Sequence, residues 1–337
     1  MTNATAPNLE TPKIVNGLAD AVFPAMAMLA GMKLDLFTPL KDGPLTTGEI
    51  AGEIGVPPRQ LGPLLYALVE ASLLTVANDR FSNTGEAARF LIKCAPEYVG
   101  AKHLSFSRQW SGLLHTADSI TSDSPQARLD FSAMSPEELE SFYSGSYATA
   151  LAAGKSLAAR YDFSSYRNLV DVAGGAGGLA IAIAEACTNI QATVIDLPST
   201  VPLTQQYVEA AGASQRVSVQ AGNVTEVPFS GSYDVAVLRN FIQVLSADHA
   251  QRALLHVNQS LQHGGALFIM GTILDDTRLS PSYAVKSNLS YLNIYDQGRA
   301  YTGGEYREWL AAAGFVGFER VVGQDGTSII KARKQAT

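Results

Sequence analysis

The run LVDVAGGAGGLAIAIAEA, residues 169–186, joins an apolar strand-like stretch, a glycine-rich turn and a helical pattern. The strand ends in Asp171, the chain turns through Gly174, Gly175 and Gly177, and a helix begins. Glycines let the backbone pass close to a ligand, and a helix N-terminus offers N–H groups without an internal partner. Taken alone, such a turn also suits a ligand-free bend or a dinucleotide site. The next strand-like run, ATVIDLP, sets Asp196 and Leu197 about twenty residues further on, where an acidic side chain grips ribose hydroxyls in doubly wound folds. VQAGNV then places Gly222, Asn223 and Val224 at the end of a third run, where an amide can read an adenine ring. YDVAVLRN brings Arg239 and Asn240 to the end of a fourth. Ligands of open α/β sheets gather at that carboxyl edge, so these residues form the candidate cofactor site.

The two cysteines, Cys94 and Cys187, show neither CxxC nor Cys/His ligand spacing, so no disulfide framework and no metal site is expected. A reducing cytoplasm is the expected location. A formal charge of -7 and a pI near 5.3 argue against broad attraction to nucleic acid or anionic lipid and favour a small-molecule partner.

The chain has 337 residues, more than one core usually holds, and its mean hydropathy of +0.08 is that of a compact globular protein. We read residues 1–100 as a helical N-terminal domain, 101–160 as a helical layer contributing to a substrate pocket, and 161–337 as a cofactor-binding α/β domain. The first ten or so residues read as a tail without a signal peptide's basic start and apolar core, and no stretch approaches the roughly 18 apolar residues of a membrane span. From Val15 to Phe37 the helical pattern is apolar around most of its circumference. Such a helix wants burial on more than one side, from a dimer partner or from its own subunit's core. Then Thr46 or Thr47 caps a helix with Glu49 following, Gly55 ends it, Pro57-Pro58 opens a second helix through Leu73, and two short strands flank Asn78-Asp79. That order is a winged helix. Its second helix holds one arginine and one glutamate, and residues 41–93 carry five basic against six acidic side chains, too few cations for duplex binding. Residues 97–160 read as mainly helical, with a polar break at TSDSPQARLD. From Asn168, apolar runs alternate with helical segments, which predicts a mostly parallel sheet covered on both faces.

DVAGGAGG, VIDLP, AGNV, YDVAVLRN, QHGGALFI and YTGGEYREWLAAAGF resemble, in order and spacing, the small-molecule O-methyltransferases typified by caffeate and acetylserotonin methyltransferases. The resemblance spans nearly the whole chain. It implies a class I methyltransferase fold with a Rossmann-like sheet, S-adenosylmethionine as cofactor, and an N-terminal winged helix that builds a homodimer and reaches the substrate pocket. It also implies cofactor roles for Gly174, Gly175, Gly177, Asp196, Asn223 and Arg239. Ala173 and Asn223 stand where the family usually has glycine and aspartate.

The same resemblance exposes a gap. Members of the family use a histidine after the LRN strand as general base, oriented by two glutamates. Those positions here are Gln243, Gly271 and Ala300, and Val244 replaces the adjoining aspartate. A phenol with a pKa of roughly 10 yields little nucleophile at neutral pH, and an amide cannot take its proton. A thioether sulfur has a lone pair and no proton, so it needs only alignment and a dry site. The run VFPAMAMLAGMKLDLFTPLKDGPLT, with the missing histidine, is similar to the bacterial 4-methylthio-2-hydroxybutyrate S-methyltransferases of dimethylsulfoniopropionate synthesis. That implies an anionic thioether substrate held by His103, Arg108, Tyr143, Tyr147 or Gln243, with Arg299 a further cation. Asn240 and Asn288 are candidates for its hydroxyl. Tyr143, Tyr147, Phe106, Trp110 and Tyr291 offer aromatic faces to the travelling charge. The alternatives are an O- or C-methyltransferase with a base relocated to His103 or His115, and a cofactor-bound homologue that transfers no methyl group.

Overall fold

The computed structural model describes residues 11–107 and 110–336, without the side chains of 101, 102, 105 and 106. The chain forms two compact units, Met1–Arg108 and Gln109–Thr337, a boundary that falls inside the helical layer expected over 101–160.

In the N-terminal unit, α1 (Lys13–Asp20) and α2 (Val22–Lys33) replace the single helix expected from Val15 to Phe37. α2 is apolar all round yet buries only Ala27, Gly31 and Met32, while Ile14, Leu18, Phe23 and Met26 face outward. Here the expectation of no span-like stretch is corrected. Lys13–Lys33 together are long and apolar enough to cross a membrane by length and composition, because Asn16, Gly17 and Asp20 interrupt the sequence run without ending the helical path. β1 (Leu45–Thr46) leads into α3 (Thr47–Ile54), whose capping box joins Thr46 and Glu49. Gly55 ends α3 in the left-handed region, at φ +69°. After a tight turn at Pro58–Gln60, α4 (Leu61–Glu70) stops three residues short of Leu73, because Ser72 adopts φ +59°. β2 (Leu74–Ala77) and β3 (Arg80–Asn83) close a hairpin on Asn78 and Asp79, both at positive φ as a two-residue turn requires. The sheet order is β1-β3-β2, and α5 (Gly85–Phe90) and α6 (Gly100–Ser107) follow.

The C-terminal unit opens with α7 (Trp110–Leu113), α8 (Thr116–Ser122) and the long α9 (Pro136–Arg160). β4 (Asn168–Val172), α10 (Gly178–Ala186), β5 (Gln191–Asp196), α11 (Val201–Ala210) and β6 (Val217–Ala221) form one arm of the sheet. β7 (Tyr233–Arg239), α12 (Ala247–Ser260) and β8 (Leu261–Gly271) build the other. Two short strands, β9 (Ile273–Leu274) and β10 (Tyr301–Thr302), pair with each other. α13 (Ser282–Ile294) lies between them in sequence, and α14 (Gly303–Ala312), β11 (Phe315–Val322) and β12 (Ser328–Lys334) complete the unit. The order is β11-β12-β8-β7-β4-β5-β6, with the five strands from β4 to β8 parallel and the β11/β12 pair antiparallel. This is the expected Rossmann-like, mostly parallel sheet. Its central strands β4 and β7 are nearly continuous apolar runs because both their faces are covered.

α10 is buried from Gly178 to Ala184, between the sheet and α9. α9 comes so close that a Cβ on Gly154 would stand 2.7 Å from the Leu179 carbonyl oxygen and 2.8 Å from the Ala182 Cβ. Gly154→Val therefore has to push α9 off the helix that follows the glycine turn. It should cost about 1–3 kcal/mol, read as a lowered urea midpoint; an unchanged midpoint would show that the two helices tolerate separation.

Candidate functional site

The sheet reverses its winding between β4 and β7, and the residues singled out by spacing gather at the carboxyl ends of the strands around that point. Ala173, at φ +54°, and Gly175 and Gly177, at +58° and +75°, bend the chain from β4 into α10. An alanine in the left-handed region costs about 1–2 kcal/mol. The bend is held by the Gly175 N–H donating to Asp196 Oδ2 at 2.7 Å, and by the Thr204 hydroxyl donating to the Gly175 carbonyl at 2.6 Å. Asp196 Oδ1 accepts the Leu197 N–H at 2.7 Å, and the Gly222 N–H donates to the Asp196 carbonyl at 2.9 Å. Asn223 Oδ1 takes the Thr225 hydroxyl at 2.8 Å, which closes the turn before buried Val224 and Thr225. Thus Asp171, Gly174, Gly175, Gly177, Asp196, Leu197, Gly222, Asn223, Val224, Arg239 and Asn240 do share one edge.

Asp171 is only 1% exposed, and its carboxylate oxygens make no hydrogen bond of good geometry, the Ala180 N–H reaching them only weakly. Burial raises its pKa to about 7, against the pull of the Ala180 amide and of the Arg239 charge. Burial correspondingly depresses Arg239, whose Nη2 donates to Thr149 at 3.2 Å. A buried carboxylate short of hydrogen bonds beside a half-buried guanidinium is the arrangement a polar cofactor completes, because a ligand with donors and acceptors satisfies both.

The Gln243 amide, which the family resemblance aligns with a general base, is 4% exposed. Its Nε2 donates to Asn240 Oδ1 at 3.2 Å and to the Tyr291 hydroxyl at 3.4 Å, and that hydroxyl shares a 2.8 Å bond with Thr272. Gln243 Oε1 lies 2.6 Å from where a Cβ on Gly271 would be, so the amide fills the room a side chain at 271 would need. Burial pushes Tyr291 up to about 12, so this network holds no group that changes charge near neutrality.

Three participants lay outside the sequence expectations. Tyr283 sits beside Ser287, Thr272 and Arg239, Tyr295 stacks at 5.3 Å on Tyr291, and Thr272 anchors the Tyr291 hydroxyl. Tyr143, from α9, presses on the glycine turn, its Cε1 2.3 Å from the place a Gly175 Cβ would take, and burial and the Asp196 charge raise its phenol. Other expected residues are placed elsewhere or are already occupied. Tyr147 stacks on Tyr207 at 4.6 Å, Trp110 is half-buried on α7, and His103 is exposed on α6 of the N-terminal unit. Asn288 Oδ1 is spent on the Ala300 N–H at 2.8 Å, and Arg299 pairs with Glu305 at 2.9 Å. Arg108 and the Phe106 side chain lie outside the described residues.

The folded protein holds the Asp171 proton up to about pH 7, whereas an unfolded aspartate releases it near pH 4. Between those values the folded state binds more protons, so this group makes stability fall as pH rises. Asp171→Asn without cofactor should therefore melt progressively above the unmodified protein as pH goes from about 4 to 7; a melting difference independent of pH would show that the carboxylate has a partner.

Residues 126–316 match the O-methyltransferase domain family, and residues 17–93 match the O-methyltransferase dimerisation domain. Over 317 residues the chain is 27% identical to the 3-hydroxy-5-methyl-1-naphthoate 3-O-methyltransferase of Streptomyces sahachiroi, covering 93% of this chain and 92% of that protein. It is also 27% identical, over 311 residues, to the N,N-dimethyltransferase OxyT of Streptomyces rimosus, with 88% and 89% covered. Among solved structures, human N-acetylserotonin methyltransferase in complex with SAM has the same fold, with a TM-score of 0.76 at 21% identity and full coverage of both chains. The chain is therefore a member of the O-methyltransferase family, carrying that family's dimerisation domain and its class I methyltransferase fold.

Proposed function

We propose that this protein transfers a methyl group to the thioether sulfur of a small anionic hydroxy acid, 4-methylthio-2-hydroxybutyrate, giving the dimethylsulfonio hydroxy acid of dimethylsulfoniopropionate synthesis. S-adenosylmethionine is the methyl donor, supplying a methyl carbon activated on a positively charged sulfur. The observation that supports the reading is the buried Gln243 amide, tied to Asn240 and Tyr291, at the residue we align with the family's catalytic histidine. Gly271 and Ala300, at the glutamate positions, offer no carboxylate to orient a base.

The described histidines of the C-terminal unit do not supply a replacement. His256 Nδ1 is engaged with the Val224 carbonyl at 2.8 Å, and His263 and His249 are exposed on the sheet's far elements. His115 is exposed beside Asp118. A sulfur acceptor needs none of them. Its lone pair forms the new carbon–sulfur bond as the donor's bond to the methyl carbon breaks; the departing sulfur keeps that electron pair, and no proton moves.

In this reading the Gly175 turn, Asp196 and Asn223 hold the nucleoside portion of the donor, and Asp171 with Arg239 face its charged end. Gln243, Asn240 and Tyr291 align the acceptor, while Tyr143 and α13 keep water out, which is where most of the rate would come from. The apolar residues left exposed on α1 and α2 support a homodimer through the dimerisation domain, working in the cytoplasm with Cys94 and Cys187 as free thiols. The named relatives act on oxygen and nitrogen, so proton-coupled transfer is the rival.

Incubation with S-adenosylmethionine and 4-methylthio-2-hydroxybutyrate should give the sulfonium and equimolar S-adenosylhomocysteine by mass spectrometry; no sulfonium at high enzyme concentration refutes this acceptor. With the donor saturating, the rate should stay flat through neutral pH, and Gln243→Ala should lose less than the roughly 100-fold that deleting a general base costs. A sigmoid pH profile set by a histidine would return the protein to oxygen transfer.

A further inference from the structure

Tyr283, Ser287, Tyr291 and Tyr295 follow one another at four-residue intervals along α13 and its C-terminal cap, so they line one face of the helix. Tyr291 is buried, and Tyr283 and Tyr295 are half-buried. Tyr291 is 7% exposed, its hydroxyl bound to Thr272 and to Gln243. Tyr295 packs on it with ring centroids 5.3 Å apart and planes inclined by 43°. Tyr143, on α9, lies against the Gly175 turn on the Asp196 side, where burial and the Asp196 charge raise its phenol. The far side of α13 is fastened: buried Asn293 accepts from the Ser119 hydroxyl at 2.8 Å and donates to Thr116 at 3.1 Å, and its carbonyl takes the Ala127 N–H at 2.9 Å. The stripe is thus a rigid aromatic face beside the amide at the base position.

We infer that the Tyr291–Tyr295 end of this stripe, with Tyr143, is a receiving face for a small alkyl-onium group, so that the protein binds compact sulfonium and quaternary ammonium zwitterions in preference to neutral isosteres. The inference rests on the thioether reading for its biological ligand, the product sulfonium. Its physical basis is independent of that reading: phenol faces carry negative potential, a desolvated aromatic site attracts cations, and Asp196 adds an anion on the Tyr143 side. Burial raises all four phenols, so they remain neutral rings at physiological pH. The Tyr283 end, next to the Arg239 cation, is the wrong place for an onium, which fixes the polarity along the helix.

The test is calorimetric titration of the full chain saturated with S-adenosylhomocysteine, comparing 4-trimethylammonio-2-hydroxybutyrate with its carbon isostere, 2-hydroxy-5,5-dimethylhexanoate. The onium should bind about tenfold more tightly, although burial alone favours the hydrocarbon. Tyr295→Phe should keep that ratio and Tyr295→Leu should collapse it. Equal or tighter binding of the isostere to the unmodified protein overturns the inference whether or not the variants fold, as does an unchanged ratio in folded Tyr295→Leu. Because no turnover is measured, the two proposals fail separately. An onium preference without sulfonium synthesis would sink only the acceptor assignment, and sulfonium synthesis without a preference would sink only the receiving face.

Discussion

The carboxyl edge of the sheet depends on one short contact, the Gly175 N–H on Asp196 at 2.7 Å. It ties the bend after β4 to the end of β5 and fixes the spacing between the glycine turn and the acidic side chain. That closeness is possible because Gly175 has no side chain and sits at positive φ, and Tyr143 then takes the space above it. Asp196 is consequently shared between the protein's own amides and any ligand at the edge. Burial raises it while the amides of Gly175 and Leu197 hold it down.

Loss of the base is more than one substitution. Gln243 reaches into the volume that a side chain on Gly271 would fill, and Asn288 spends its carbonyl on the backbone of Ala300. Gln243, Asn240, Tyr291 and Thr272 form a neutral hydrogen-bonded set in which every participant keeps its protonation state across the physiological range. A site of that kind can be fully dried without stranding a charge, which suits transfers that relocate a positive charge rather than create one.

Much of this was legible in the sequence, for identifiable reasons. The parallel strands read clearly because central strands covered on both faces are unbroken apolar runs, each closed by a residue that had to be special: Asp171, Asp196, Gly222, Asn240. The winged helix was readable from Thr46, Glu49, Gly55 and the Asn78-Asp79 turn, since caps and tight turns are written in local chemistry. The contributions of Tyr283, Tyr295 and Thr272 were not, because they depend on how α13 is rotated against β7 and β8. A four-residue recurrence of tyrosine does not state which way its face points. Arg299 looked available as a cation until Glu305 was found beside it, one turn into α14. The span-like length of α1 and α2 together followed from a helical path continuing through polar residues.

The outward side of α1 and α2 ties the protein's solubility to its abundance. A solitary copy displays Ile14, Val15, Leu18 and Phe23, each more than 60% exposed. If the dimerisation domain pairs two copies through this surface, cover comes by mass action and dilution penalises the folded chain. Freshly synthesised copies at low concentration would thus be the ones most exposed to chaperones and to aggregation.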